Sequence, residues 1–190
     1  MGPEIDYKKI VAAQHHYGWA GYENIDVSWF VSRNAMEVTA PPGVRQYCNS
    51  FIGDLVASGE QSFIQMWMDG ELKKGRWQCA TPCFRDEPVV DDLRLNYFFK
   101  VELIDVLPKD IEKSMQDMVK YALMFFDNYL DVRVIDTDIG EDIVFTDIEL
   151  GDIELGSYGY REFEDFKWVY GTGVAEPRLS YAEKKYALHV

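Results

Sequence analysis

The chain has 190 residues, of which 47% are hydrophobic and 15% aromatic, so it is long enough to bury a core and too apolar for a disordered segment. Its formal net charge is −14, from 19 Lys and Arg against 33 Asp and Glu. That argues against a broad basic surface for nucleic acid, although an acidic protein can still hold ATP where magnesium and a few arginines neutralise the phosphates. The three cysteines, Cys48, Cys79 and Cys83, do not make a disulfide framework, and without a second pair they read as thiols rather than a zinc site. No apolar targeting core and no run near the roughly 20 residues of a membrane span is present, so a soluble, cytoplasmic protein without a membrane partner is expected. One compact domain over residues 1–190 is the expected organisation.

In chain order, a helix is expected from about Ile5 to Trp19, with the adjacent His15 and His16 on different sides and so not sharing a metal. Gly21 to Ser28 ends that helix and runs extended. Met36 to Ala40 reads as a short strand stopped by Pro41-Pro42-Gly43. Gln46 to Ala57 reads as a helix carrying Phe51, Leu55 and Val56. Gln61 to Met68 reads as a strand before the Asp69-Gly70 turn. Trp77 to Phe84 and Tyr97 to Val106 form two arms of an antiparallel hairpin around a polar loop. Pro108 opens the clearest helix, to about Tyr129, with an apolar stripe of Ile111, Met115, Met118, Val119, Ala122, Phe125, Phe126 and Tyr129. From Asp131 to Asp165 there are twelve acids against two arginines. A strand from about Phe166 to Tyr170 runs into Gly171-Thr172-Gly173, and a helix from about Pro177 to Leu188 follows. Because the β runs pair as hairpins, the pattern points to an α+β fold with a mainly antiparallel sheet flanked by helices.

Four segments carry chemistry. Arg85 and Glu87 stand where the first hairpin arm ends, and Arg94 and Phe98 where the second begins. An arginine forks onto phosphate oxygens, a carboxylate accepts from an exocyclic amine, and a phenyl ring stacks on a base. Ser58-Gly59-Glu60-Gln61 offers small residues beside a carboxylate that can hold an ammonium group; alone it reads as a loop entering a strand. Asp147, Glu149, Asp152 and Glu154 crowd carboxylates that suit magnesium, or else form a solvated acidic edge strand. The small residues of Gly156-Ser157-Tyr158-Gly159 clear space beside a ligand. Gly171-Thr172-Gly173 ends a strand, and Arg178 then sits in the first turn of a helix, a place that favours an anion. These spacings are neither Rossmann nor P-loop.

In this order the segments resemble the catalytic core of class II aminoacyl-tRNA synthetases over nearly the whole chain. Gly21 to Val27 looks like motif 1, with Ser28 where a proline is usual. Phe84-Arg85-Asp86-Glu87 through Phe98 and Glu102 looks like motif 2, and Gly171-Thr172-Gly173 through Arg178 like motif 3. Asp147, Gly151, Glu154, Gly159 and Arg161 are similar to the aspartyl and asparaginyl subgroup and its stand-alone asparagine-synthetase-like relatives. The resemblance implies that Arg85 and Arg178 are catalytic. It implies ATP contacts from Arg85, Glu87, Arg94, Phe98, Asp147, Glu154, Gly173 and Arg178, with magnesium on Asp147 and Glu154. The amino acid would meet Ser58, Glu60, Gln61, Glu102, Ser157, Gly159 and Arg161, the last reaching its side chain. The activity implied is ATP-dependent activation of aspartate or a relative as an acyl-adenylate, then transfer to an acceptor such as ammonia. A homodimer through motif 1 is implied too. The length leaves no room for an anticodon-binding domain, and the acidity argues against tRNA as a partner. The alternative is a non-catalytic paralogue acting as a dimeric binding or regulatory protein; retention of Arg85 and Arg178 argues against it. Third comes a synthetase working with a separate RNA-binding subunit.

Overall fold

A computed structural model describes residues 4–40, 46–49 and 51–188. In chain order its elements are α1 (Tyr7–Trp19), β1 (Glu23–Asn24), β2 (Phe30–Val31), α2 (Arg33–Glu37), β3 (Cys48–Asn49), β4 (Gly53–Leu55) and α3 (Gly59–Met68). There follow β5 (Gly75–Phe84), β6 (Tyr97–Val106), α4 (Ile111–Phe126), β7 (Arg133–Thr137), β8 (Gly140–Asp147), β9 (Gly151–Phe163), β10 (Phe166–Glu176) and α5 (Arg178–Tyr186). Seven strands make one sheet in the order β1-β5-β6-β10-β9-β8-β7, antiparallel throughout except for the parallel β1–β5 pair. β2, β4 and β3 form a second, three-stranded sheet. The α+β, mainly antiparallel architecture is the one expected.

The hairpin is the centre of the large sheet. Phe84 pairs with Tyr97 at its loop end and Gly75 with Val106 at its open end. Successive side chains of a strand point to opposite faces, so Val101 and Leu103 go to one side of β6 while Lys100 and Glu102 go to the other. The first side is covered by α1 and α4, which bring Tyr17, Met118, Phe125 and Phe126 into a shared core with Val101 and Leu103. Each such burial contributes about 1.5–3 kcal/mol relative to an exposed side chain. The other side meets α2 and α3 through Met36, Phe63 and Ile64, packed near Ile104 and Trp168, and is left open beside them.

Three local expectations are corrected. Gln61 to Met68 is helical, because Ser58 and Gln61 form a capping box: the Gln61 side-chain oxygen accepts from the backbone N–H of Ser58 at 3.2 Å and of Ala57 at 2.7 Å. Met36 belongs to a short helix begun by Ser32, whose hydroxyl accepts from Ala35 N–H at 3.2 Å. The expected helix over Gln46 to Ala57 is instead the β3–β4 hairpin. Gly53 at φ 109° turns the chain there, and a Cβ on it would lie 2.6 Å from the Val31 carbonyl oxygen. Phe51, read as part of an apolar face, is 95% exposed. The expected stop Pro41-Pro42-Gly43 lies outside the described residues.

Gly171-Thr172-Gly173 does not end a strand; it lies inside β10, which runs on to Glu176. A Cβ on Gly171 would meet Tyr158 and Met118 at 2.4 and 2.5 Å, and one on Gly173 would meet Tyr17 at 2.8 Å. These glycines let α1 and α4 lie close against the sheet.

Candidate active site

The open face of the sheet holds a cavity of about 440 Å³, lined among others by Ser58, Glu60, Arg85, Lys100, Glu154 and Arg161. Arg85 and Glu87 also line an adjoining hollow of about 80 Å³ with Arg94, Phe98, Pro177 and Arg178. Two compartments therefore meet at Arg85.

In the smaller compartment the Arg85 guanidinium lies 4.9 Å from the centre of the Phe98 ring, and its Nε donates to the Ala57 carbonyl at 3.3 Å. Among the described residues no carboxylate pairs with it. Glu87 is fixed through its backbone N–H, which donates to Asn96 Oδ1 at 3.0 Å. Arg94 is folded back onto Asp91, with Nε and Nη2 both 2.9 Å from the same carboxylate oxygen, and is 63% exposed. Arg178 opens α5. It donates to Glu154 Oε1 at 3.1 Å and to the Leu93 carbonyl at 3.3 Å, so it ties the hairpin loop to β9.

The larger compartment is built from ion pairs whose carboxylates are buried and whose cations are partly exposed. Glu60 sits in the first turn of α3. Trp168 Nε1–H donates to its Oε1 at 2.7 Å, and Arg161 donates to its Oε2. Trp168 is held by stacking on Phe166, centroids 4.4 Å apart. Burial pushes the Glu60 carboxyl up, while the Arg161 charge and the Trp168 hydrogen bond pull against it. The Arg161 guanidinium lies 4.2 Å from the centre of the Tyr170 ring. Glu102 accepts from Ser58 Oγ at 2.6 Å and from Lys100 Nζ at 3.0 Å. Ser58 thus caps α3 and fixes Glu102 at once.

The residues that the resemblance assigns are brought together, with exceptions. Ser58, Glu60, Gln61, Ser157 and Arg161 line the large cavity with Glu102, although Gln61 spends its side-chain oxygen on the helix cap. Gly173 packs under Tyr17, which donates to its carbonyl at 2.9 Å, and lies away from both hollows. Gly159 is likewise a packing position: a Cβ there would meet the Tyr170 hydroxyl at 2.6 Å. Asp147 stands at the β8–β9 turn, its Oδ1 accepting from Glu149 N–H at 3.0 Å and Leu150 N–H at 2.8 Å, and it lines neither hollow. It pairs with Gly151 while Glu154 pairs with Val144, so the two metal ligands that the resemblance implies stand apart along the hairpin.

Four residues at or around the site went unread in the sequence: Lys100, Asp142, Trp168 and Tyr170. Lys100 stands two residues from both Phe98 and Glu102, so strand alternation alone places it on their face. Asp142 lies opposite Ser157 and Trp168 opposite Arg161, a register that local sequence does not give. Burial raises the Asp142 carboxyl; Ser157 opposes this by hydrogen bonding and the Glu154 charge adds to it. Its Oδ1 is buried without a hydrogen-bond partner among the described residues. Burial also pushes the Cys83 thiol up to about 12 and raises Cys79, so neither is a thiolate nucleophile at neutral pH.

The fold is that of class II aminoacyl-tRNA synthetase catalytic domains. The chain is similar to seryl-tRNA synthetase from Pyrococcus horikoshii, solved in complex with ATP, with a TM-score of 0.76 and 17% identity over 90% of this chain and 48% of that one. It is similar to cytoplasmic serine-tRNA ligase from Naegleria fowleri, in complex with AMP, at a TM-score of 0.68 and 18% identity over 88% and 45%. It is also similar to the pyrrolysyl-tRNA synthetase PylSc of Desulfitobacterium hafniense, at 0.68 and 16% identity over 94% and 67%. The chain spans about half the length of the two seryl enzymes. At these identities the likeness concerns the fold alone. No protein-family model and no curated protein matches the sequence. Among the described residues no helix is long and apolar enough to cross a membrane.

Proposed function

We propose that the protein activates an amino acid at the expense of ATP, forming an acyl-adenylate. The observation that carries this reading is Arg85: a guanidinium without a carboxylate partner among the described residues, laid against Phe98 where the two hollows join. In this reading adenine stacks on Phe98 and donates its amine to Glu87, while Arg85 holds the α-phosphate. Arg178 and Arg94, both on the rim, take the distal phosphates once these compete with Glu154 and Asp91. The substrate's carboxylate oxygen attacks the α-phosphorus in line, the bond to the β-bridging oxygen breaks, and pyrophosphate leaves with the electron pair. No side chain acts as nucleophile; positioning and charge neutralisation do the work.

Magnesium, when bound with the triphosphate, adds charge neutralisation at the departing phosphates. Asp147 gives its Oδ1 to the β8–β9 turn and lines neither hollow, so it is the poorer fit as a ligand. Glu154 fits, with Asp142 as the second carboxylate, since a magnesium–nucleotide site needs only one or two carboxylates beside the phosphates. Asp142 stands opposite Ser157 on β8 and its carboxyl feels the Glu154 charge, which supports that pair.

The substrate in this reading carries a side-chain carboxylate or carboxamide, and the acceptor is ammonia or another amine. The protein works as a homodimer through the segment from Gly21 to Ser28. ATP–pyrophosphate exchange across a panel of amino acids tests the activation step. Exchange that requires one amino acid is the expected result; no exchange with any of them refutes the reading.

A further inference from the structure

Resting on the amino-acid-activation reading, we propose that Glu60 sets the side-chain specificity of the site. By neutralising Arg161 it makes the pocket select an uncharged, hydrogen-bonding side chain, a carboxamide above all, over a carboxylate.

Apart from Arg85 at the junction of the two hollows, each cation of the larger compartment already has a carboxylate. Arg161 is bound to Glu60, and Lys100 lies 2.9 Å from Glu102. Glu60 and Glu102 are themselves buried, so their charges are not screened by solvent. An incoming carboxylate would therefore meet attraction from Arg161 and repulsion from Glu60 at once, and would still lose its own hydration. A carboxamide loses far less hydration and feels no net repulsion.

Arg161 retains the donors such a group needs. One terminal nitrogen is given to Glu60 and one face of the guanidinium lies on Tyr170. Nε and Nη2 have no hydrogen-bond partner among the described residues, and the side chain is 33% exposed, on the cavity side. These edge donors suit an amide oxygen. For the amide nitrogen, Gln46 lines the same cavity, and its Oε1 is a buried acceptor without a hydrogen-bond partner among the described residues. Neither Glu60 oxygen is spare, because Trp168 and Arg161 take one each. Glu60 thus acts through Arg161 and is a positioning and charge-setting residue.

The test is calorimetric titration of L-asparagine and L-aspartate into the full chain and into Glu60→Gln, with thermal melts to verify folding. The wild type is expected to favour asparagine by about tenfold or more, and Glu60→Gln, which lifts one negative charge, to move the ratio toward aspartate by about tenfold or more. The double variant E60Q/R161Q restores neutrality and is expected to favour asparagine again; it carries the test if Glu60→Gln does not fold. A wild type that binds aspartate at least as tightly, or binds neither, overturns the proposal, and so does an unmoved ratio in a folded Glu60→Gln. Asparagine binding without pyrophosphate exchange would instead refute activation and leave the specificity claim standing.

Discussion

Arg85 and Arg161 line the same cavity and are set up in opposite ways. Arg85 follows the end of β5, leans on Phe98, and has no carboxylate partner among the described residues. Arg161 lies in β9, bound to a buried glutamate and pressed on a tyrosine. The difference teaches what each is for. An arginine left without a counter-charge is available to a phosphate that brings its own negative charge. An arginine already neutralised offers direction and hydrogen bonds rather than net charge. The rim arginines fall between the two: Arg94 and Arg178 rest on exposed carboxylates, where an ion pair contributes only about 0–1 kcal/mol and is readily exchanged.

The largest expected effect separates the two arginines by function. Arg85→Ala should lower pyrophosphate exchange by about 10²–10³-fold, as removal of one preorganised donor does elsewhere. Its melting temperature should stay at the wild-type value, since the lost contacts are a single carbonyl and a ring face. Arg161→Ala should do the reverse to stability, costing about 3 kcal/mol, because Glu60 is left buried and unpaired. Chemical denaturation of both variants checks this, and equal destabilisation would erase the distinction.

That loss should also depend on pH. Burial already raises the Glu60 carboxyl, and without Arg161 it rises further. A carboxyl whose folded value lies above its unfolded value makes the folded state the better proton binder, so stability falls as pH rises through that window and returns on acidification. The gap between wild type and Arg161→Ala should therefore narrow from neutral pH toward about pH 5, in melts run across that range.

Smaller effects test the reassigned residues. Gly173→Ala should cost about 1–3 kcal/mol by pushing a Cβ into Tyr17 and Val101, with nucleotide affinity retained. Asp147→Ala should cost about 1 kcal/mol through the lost turn bonds and leave the magnesium dependence of exchange unchanged, whereas Asp142→Asn should weaken it.

The two arginines were legible in the sequence to different depths. Arg85 and its hairpin could be read because β5 and β6 are long β-rich runs next to each other in sequence, separated only by a polar loop, so pairing follows from local pattern. The same holds for α4, whose apolar stripe has helical period and whose Asp110 accepts from Lys113 N–H at 3.0 Å. The position of Arg161 was read, but its partner was not. Glu60 reaches it across 101 residues, from a helix taken for a strand. The capping box that starts that helix was present as Ser58 and Gln61 and went unread. Gly173 looked like a loop glycine because the ring it makes room for, Tyr17, lies 156 residues away. Asp147 had the spacing of a ligand, but the β8–β9 turn fell between it and Glu154 and put them in different surroundings.

A crystal structure with ATP and magnesium tests the account most directly. The account predicts phosphate oxygens within hydrogen-bond distance of Arg85 and Arg178 and the adenine stacked on Phe98, with Arg161 still bound to Glu60. Nucleotide absent from the cleft, or a cleft filled by the protein's own side chains, would contradict it.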